Sequence, residues 1–207
     1  MAIYKRKYKD YKEYLTHQSL KLKIGQRKKI AKFMPDYFDK NVRSFTKRIS
    51  KFKKYVFREK VLCLGARLGE EVVAFRNCGF DAIGIDLNPG QNNPYVLKGD
   101  FHNIEFDDEH FDTVYCNCID HAWDLVKLSK EINRILVPGG CLILEVDHIL
   151  KKSKKKKQEW VNRPSKYEVV LCDSLKDIDV SFKDFKLKTS FTSAYEKMIV
   201  VIFNKKI

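Results

Sequence analysis

The stretch VLCLGARLGEEVVAF, residues 61–75, decides the fold. An apolar run (residues 61–64) enters a turn at Gly65, a second glycine follows at Gly69, and a helix-like pattern comes next. Strand, glycine turn and helix in this order resemble a phosphate-cradling loop. Such a loop carries a further glycine between the two, where backbone passes close to the ligand, but Arg67 stands there instead. The question is what this loop holds.

Length and composition indicate one domain with a substantial core. The chain has 207 residues, of which 44% are hydrophobic and 13% aromatic. No apolar run approaches the ~20 residues that span a bilayer, so we expect no transmembrane segment. The N-terminus is basic and lacks the apolar region of a secretory signal, which predicts a cytoplasmic protein.

The six cysteines predict neither a disulfide framework nor a metal site. None forms a C-x-x-C pair, and most lie in apolar runs, which is typical of buried, reduced thiols. Cys116-Asn-Cys118 is the nearest approach to a metal motif, but it has no second pair or histidine at zinc-ligand spacing.

The net charge of +14 is unevenly distributed. Residues 1–58 carry 19 Lys and Arg against 4 Asp and Glu, residues 59–150 carry 7 against 16, and residues 151–207 carry 15 against 7. An acidic centre between basic flanks indicates either an anionic substrate or surface, or simply solvated helix faces.

Residues 1–58 predict a basic helical extension that precedes a main domain at 59–207. One helix is expected over 4–22, ended by Gly25, and a second from near Pro35. The second helix has an apolar stripe consisting of Phe38, Val42, Phe45, Ile49, Phe52 and Val56. A stripe of this width is typical of a surface helix packed on a soluble core.

From residue 60 onward, predicted strands and helices alternate, which indicates an α/β fold with a mostly parallel sheet. Strands are predicted at 60–64, 81–86, 95–98, 112–116 and 141–146, with helices at 70–77 and 122–136. Two later strands, 183–191 and 198–204, are expected to form an antiparallel edge. The charge run KKSKKKK at 151–157 is read as a loop or an exposed helix start.

The carboxyl ends of the predicted strands carry the ligand-binding signals. Asp86 ends the second strand 17 residues after Gly69, a position suited to accepting two ribose hydroxyls. Asp100 and Phe101 end the third strand and suit an adenine amino group and ring. With the flexible backbone at Gly65, these residues describe a pocket for an adenosine group.

Four motifs in this order, VLCLGARLG, AIGIDLNPG, KGDFHNIEFDDEHFDTVYCN and LSKEINRILVPGGCLIL, resemble those of class I S-adenosylmethionine-dependent methyltransferases, most closely the small-molecule (type 11-like) group. The resemblance covers about 58–147 and implies a Rossmann-like seven-stranded sheet and S-adenosylmethionine as cofactor. The family has an acid two residues before the first glycine, which helps hold the cofactor's methionine part, and Cys63 occupies that place. Arg67 either pairs with the methionine carboxylate or covers the turn.

The resemblance also implies the site residues. Those expected at the cofactor are Gly65, Ala66, Arg67, Gly69, Asp86, Leu87, Asp100, Phe101 and Asn117. His121 is the first choice for a general base, because the unperturbed pKa of histidine is near neutral. Asp120 either orients it, binds substrate or caps a helix. His102 and His148 are further candidate bases.

Three functions remain open from the sequence. The first is methyl transfer to an oxygen or nitrogen of a small, anionic or saccharide-type acceptor, with the N-terminal helices as a lid. The absence of an Asn-Pro-Pro-Tyr type motif at the fourth strand favours this function. The second is RNA methylation, with the basic flanks tracking phosphates. The third is a noncatalytic scaffold that uses the fold without turnover.

Overall fold

A computed structural model gives the structure of the chain. It describes residues 3–4, 8–20, 36–56, 58–146, 150–152, 158–160, 170–171, 178, 180–192 and 198–207. Every statement below concerns these residues.

Strand β1 (Lys60–Leu64) is the centre of the sheet. It pairs in parallel with β2 (Asp81–Asp86) on one side and with β4 (Phe111–Cys116) on the other. Its side chains alternate between two core clusters, with Cys63 in one and Leu62 in the other. Because both faces are covered, the strand is a continuous apolar run, as buried parallel strands usually are.

The sheet has seven strands in the order β6-β7-β5-β4-β1-β2-β3. The remaining four are β3 (Val96–Lys98), β5 (Leu136–Val146), β6 (Phe185–Thr192) and β7 (Ile199–Lys205). Strand β7 is antiparallel to both β5 and β6, whereas β3, β2, β1, β4 and β5 run in parallel. The predicted Rossmann-like α/β fold with an antiparallel C-terminal edge is therefore confirmed.

Helices cover both faces of the sheet. Helices α2 (Tyr37–Phe52) and α3 (Glu70–Asn77) contribute to the cluster around Cys63. Helices α1 (Tyr11–Leu20) and α4 (Leu125–Ile135) contribute to the cluster on the opposite face. The apolar stripe predicted for the second helix is thus a core face, with Ile49 and Phe52 almost fully buried.

The first helix is shorter than predicted. It begins at Tyr11 rather than at residue 4, because Asp10 ends the preceding bend and accepts a hydrogen bond from the backbone N–H of Glu13 at 2.8 Å. This is the contact of an N-cap, which satisfies a donor that the first turn leaves open. Upstream, Ile3–Tyr4 is a short strand antiparallel to Val170–Leu171.

The helix predicted from 122 begins at Leu125, because the Asp124 carboxylate caps it by accepting from the N–H groups of Val126 and Lys127. The capping role considered for Asp120 is therefore wrong, since Asp120 lies in a separate 3-10 turn, Ile119–His121.

Strand β5 also extends beyond its prediction. It begins at Leu136 rather than at residue 141, so it includes Pro138-Gly139-Gly140. The other strands agree with their predictions to within two residues at each end. Predictions for Gly25, Pro35, Cys172, His148 and residues 153–157 lie outside the described residues, whereas 150–152 pairs with 158–160 as a short antiparallel ladder. Among the described helices, none has the length and apolar character needed to cross a membrane.

The burial of Ile49 predicts that α2 is an integral part of the core. We expect Ile49→Ala to lower the free energy of unfolding by about 2–5 kcal/mol, because a fully buried side chain leaves a cavity. Urea unfolding would measure this change. Lys47→Ala, on the exposed face of the same helix, is the matched control. Equal stability of the two variants would contradict the packing.

Candidate functional site

Two connected clefts lie at the edge where the carboxyl ends of the parallel strands meet. The first cleft, of about 60 Å³, is lined by Tyr14, Gln18, Gly65, Arg67, Asp86, Leu87, Asn88, Phe101, Cys118 and His121. The second cleft, of about 380 Å³, is lined by Tyr37, Asn41, Ser44, Phe45, Arg48, Gly65, Arg67, Glu70, Glu71, Asn117, Cys118, Asp120, His121 and Met198. They share Gly65, Arg67, Cys118 and His121, so one elongated ligand can occupy both.

The turn after β1 forms the floor between the clefts. Gly65 has φ 65°, and a Cβ there would collide with Sγ of Cys118, so this position accepts only glycine without rearrangement. Gly69 has φ 97° and precedes α3, and a Cβ there would lie 2.8 Å from Cβ of Tyr95. Ala66 is buried, and its N–H donates to the carbonyl of Ile85 at 3.1 Å. Both glycines therefore make room for neighbouring side chains of the protein, and the Ala66 hydrogen bond holds the turn against the end of β2.

Asp86 joins this turn to the end of β2. One carboxylate oxygen accepts from the backbone N–H of Arg67 at 3.1 Å, and the other from that of Asn88 at 2.7 Å. Because a carboxylate has about four acceptor positions, both oxygens retain capacity for ligand hydroxyls. The predicted residues Gly65, Arg67, Asp86, Leu87 and Phe101 all line the first cleft.

Asp100 is held by other residues of the protein. Its carboxylate accepts from the Tyr11 hydroxyl on one oxygen, and from the backbone N–H of His102 at 2.9 Å and the ring Nδ1 at 3.2 Å on the other. Burial acts to raise the pKa of Asp100, but the hydrogen bonds from His102 and Tyr11 outweigh it and hold the pKa below its usual value.

His102 has no contact with either cleft. Its ring is fully buried, and Nε2 lies 3.0 Å from the backbone N–H of Trp123 and 3.2 Å from that of Asp124. Since Nε2 must accept from these N–H groups, the proton is on Nδ1 and is donated to Asp100. The geometry therefore makes His102 a neutral positioning residue, in place of the base considered from the sequence.

His121 and Asp120 lie where the clefts meet the end of β4. The Nδ1 atom of His121 is 3.6 Å from a carboxylate oxygen of Asp120, and their side chains are 23% and 17% exposed. Both line the second cleft beside Asn117, and His121 also reaches the first. The structure thus brings His121 and Asp120 to the same clefts as most of the residues predicted for the cofactor, whereas Ala66, Gly69 and Asp100 line neither cleft.

Helix α1 covers the first cleft. The sequence suggested that the N-terminal helices form a lid, but it did not show which residues they would cover. Tyr14 is 1% exposed and donates to the carbonyl of His121 at 3.0 Å, and Tyr11 donates to Asp100. The side-chain amide of Asn88 donates to the carbonyl of Ser19. The spacing of the tyrosines predicted a helix. The surface that this helix covers depends on its contacts with Asp100 and His121, which are far away in the sequence.

Helix α2 provides one wall of the second cleft. Its Arg48 is 4% exposed, and the guanidinium lies 3.3 Å from the Glu145 carboxylate in β5. The hydroxyl of Tyr115 donates to the same carboxylate at 2.8 Å. Sequence reasoning missed Arg48, because one arginine among many basic residues carries no signal of burial.

Two acids of α3, Glu70 and Glu71, also line the second cleft and were treated in the sequence only as a helix start. They are 5% and 4% exposed, and the side-chain amide of Asn41 donates to Glu70 at 3.3 Å. Burial raises the pKa of Glu71 to about 8. The sequence feature that could have identified these two residues is that both acids directly follow the glycine turn.

The cysteines near the clefts remain thiols in the structure. Sγ of Cys116 and Sγ of Cys118 are 3.9 Å apart, and the hydrogen bond between them together with burial raises the pKa of Cys118. Within the described ranges, no group of three or more His, Cys, Asp or Glu side chains is arranged to hold a metal ion.

Part of this site lies in a segment that matches a known protein family. Residues 62–144 match the family model described as "Methyltransferase domain". No curated protein sequence matches the chain significantly. The segment 62–144 contains the glycine turn, the ends of β2 and β3, and residues 117–121.

Among solved structures, a protein from Pyrococcus horikoshii has 18% identity and a TM-score of 0.60, with 86% of this chain and 99% of that chain covered. A Methanosarcina mazei S-adenosylmethionine-dependent methyltransferase has 14% identity and a TM-score of 0.55, with 76% and 97% covered. A Haloferax volcanii protein solved in complex with the Trm112 methyltransferase activator has 14% identity and a TM-score of 0.61, with 94% and 98% covered. At these identities the likeness shows the fold.

The Tyr11–Asp100 hydrogen bond predicts a pH-dependent stability. We expect Tyr11→Phe to lower the free energy of unfolding by about 1–2 kcal/mol at pH 7, because a hydrogen bond to a charged group is lost. The folded-state pKa of Asp100 is depressed, so this stabilisation is present above the unfolded pKa near 4 and diminishes as the pH falls through the folded pKa.

Urea unfolding at pH 7 and near pH 3 would test this expectation. Tyr55→Phe is the control, because Tyr55 makes its described contacts through its ring with Lys54 and Lys188. A Tyr11→Phe effect that is the same at both pH values would contradict the assignment to ionised Asp100.

Proposed function

We propose that this chain, a class I S-adenosylmethionine-dependent methyltransferase, methylates an oxygen or nitrogen of a small, anionic or saccharide-type acceptor held between α2 and the end of β4. The observation that carries the proposal is the junction of two different clefts. One is lined by the Asp86 carboxylate and by Phe101, and the other by Arg48 and the polar side chains of α2. His121 stands at the junction.

The first cleft suits the adenosine part of the cofactor. The Asp86 carboxylate is placed to accept the two ribose hydroxyls, with Leu87 and Phe101 beside the base. Gly65 lines both clefts, so its backbone is placed to contact the ligand, and the hydrogen bond from Ala66 to the end of β2 supports the turn. Arg67 and Asn117 extend toward the second cleft, where we place the amino-acid end.

We propose that α1 moves when the nucleoside enters. The first cleft is narrow, at about 60 Å³, and Tyr14 and Gln18 of α1 line it. Outward movement of α1 would withdraw Tyr14 and Gln18 and release the Asp100 oxygen that Tyr11 holds. That oxygen would then be available to the adenine amino group, and α1 would act as a lid.

Bound S-adenosylmethionine supplies an electrophilic methyl group, so the protein must align the acceptor and remove its proton. His121 is our general base, because its ring faces both clefts and its ordinary pKa is near neutral. The Asp120 carboxylate, 3.6 Å from Nδ1, favours the tautomer in which Nε2 accepts the proton.

We base the proposed acceptor class on the wall formed by α2. Tyr37, Asn41 and Ser44 offer hydrogen bonds to hydroxyl groups, whereas the charge of the Arg48 guanidinium is balanced by Glu145, so this wall supports a saccharide-type acceptor more than an anionic one. In this proposal residues 1–58 are an N-terminal extension whose α2 belongs to the core of the 59–207 domain.

The cofactor assignment is tested by Asp86→Ala. We expect the affinity for S-adenosylmethionine to fall by ~1–3 kcal/mol, because a charge-assisted acceptor of the ribose is removed. Calorimetry would measure it, with the exposed Asp107→Ala as the charge-matched control. Unchanged affinity in Asp86→Ala would refute the ribose contact, and no binding by the native protein would favour a noncatalytic scaffold.

The catalytic assignment is tested by His121→Gln. We expect methyl transfer to fall by roughly 10²- to 10⁴-fold, because general-base catalysis is lost, while S-adenosylmethionine affinity changes little. The assay would offer radiolabelled cofactor to a panel of sugars, sugar acids and hydroxy acids, and to a single-stranded RNA oligonucleotide. Labelling of the RNA alone, falling steeply with salt, would favour the RNA methyltransferase instead.

A further inference from the structure

The second cleft contains an ionisable group that the proposed mechanism does not use. Glu71, in the first turn of α3, is 4% exposed and yet lines the cleft next to the glycine turn. Burying a carboxylate costs free energy unless a partner offsets that cost. A carboxylate kept at a cleft wall in this way indicates a positively charged ligand group.

Glu71 lies near Cys63, the position at which the sequence departs from the resembled family. Cys63 occupies the place where the resembled family carries an acid, and its thiol is fully buried in the core cluster. The Glu71 carboxylate is close enough to this thiol to help raise its pKa. An acid therefore approaches the same place from α3, eight residues further along the chain.

Glu71 and Arg67 form a complementary pair at the same cleft. Arg67 leaves the turn at φ 46° and lines both clefts, and its positive charge acts on Glu71. A cation and an anion at one wall match the carboxylate and ammonium groups of a free α-amino acid. The neighbouring Glu70 suits this role less well, because it receives the Asn41 amide.

We propose that Glu71 binds the ammonium group of the cofactor's amino-acid end, with Arg67 binding the adjacent carboxylate. The inference rests on the proposed function. It makes Glu71 the replacement for the acid that Cys63 has displaced, so the altered loop keeps a full amino-acid subsite.

Binding of the ammonium group changes the protonation of Glu71. The groups that act on Glu71, or share its surroundings, are Cys63, Arg67, Glu70, Asp86 and Tyr115, with Arg48, Asp120 and His121 across the cleft. With a pKa of about 8, Glu71 is mostly protonated at pH 7. An arriving ammonium group favours the carboxylate, so binding at pH 7 should release a proton.

The test compares two ligands by calorimetry. S-adenosylhomocysteine has the amino-acid end, and 5′-methylthioadenosine has the same nucleoside without it. We expect Glu71→Gln to weaken S-adenosylhomocysteine ~10- to 100-fold, and 5′-methylthioadenosine less than about twofold. Gln keeps the shape of Glu, so folding should be retained, and thermal unfolding would verify this. The exposed Glu105→Gln is the matched control.

Each outcome decides the proposal. Glu71→Gln with native affinity for S-adenosylhomocysteine, or with equal losses for both ligands, would overturn it while leaving the proposed function intact. If the native protein binds neither ligand, the proposed function and the inference fall together. In buffers of different ionisation enthalpy, proton release should appear in the native protein and in Glu105→Gln, and should be absent from Glu71→Gln.

Discussion

The position of β1 in the sheet is the constraint on which the rest of the structure depends. The strand is hydrogen-bonded to β2 and β4 and buried on both faces, so only the turn at its carboxyl end is accessible to ligand. Parallel pairing places the ends of β2, β3 and β4 beside that turn. The Asp86 carboxylate then connects the turn to β2 through the N–H of Arg67. The two clefts follow from this arrangement.

The N-terminal helices contribute differently to the two clefts. Helix α2 packs through Ile49 and Phe52 into the core cluster around Cys63. Its residues that line the cleft, such as Arg48, are therefore held rigidly. Helix α1 buries Tyr14 in the core cluster on the opposite face, and it also makes polar contacts at the first cleft, of Tyr11 with Asp100 and of Tyr14 with a backbone carbonyl. The proposed lid movement of α1 therefore has to break both packing and hydrogen bonds.

Buried polar groups around the site act mainly by holding one another. His102 receives two backbone N–H groups on Nε2 and gives its Nδ1 proton to Asp100, which also accepts from Tyr11. These hydrogen bonds join the segments after β3 and β4 to α1. A fully satisfied buried network is rigid, whereas loss of one partner leaves an unpaired polar group. The ends of β3 and β4 and helix α1 are therefore held together by residues that do not line the clefts.

The sequence by itself determined the sheet, its strand ends and the residues of the glycine turn, because hydrophobic periodicity and glycine positions are local signals. It identified Asp86, Phe101 and His121, which the structure places in the lining of one cleft. It did not determine the burial of His102, the start of α1 at Tyr11, or the roles of Arg48 and Glu71. Those depend on which distant residue each side chain meets, and only the tertiary structure brings Tyr11 to Asp100 and Glu71 to the neighbourhood of Cys63.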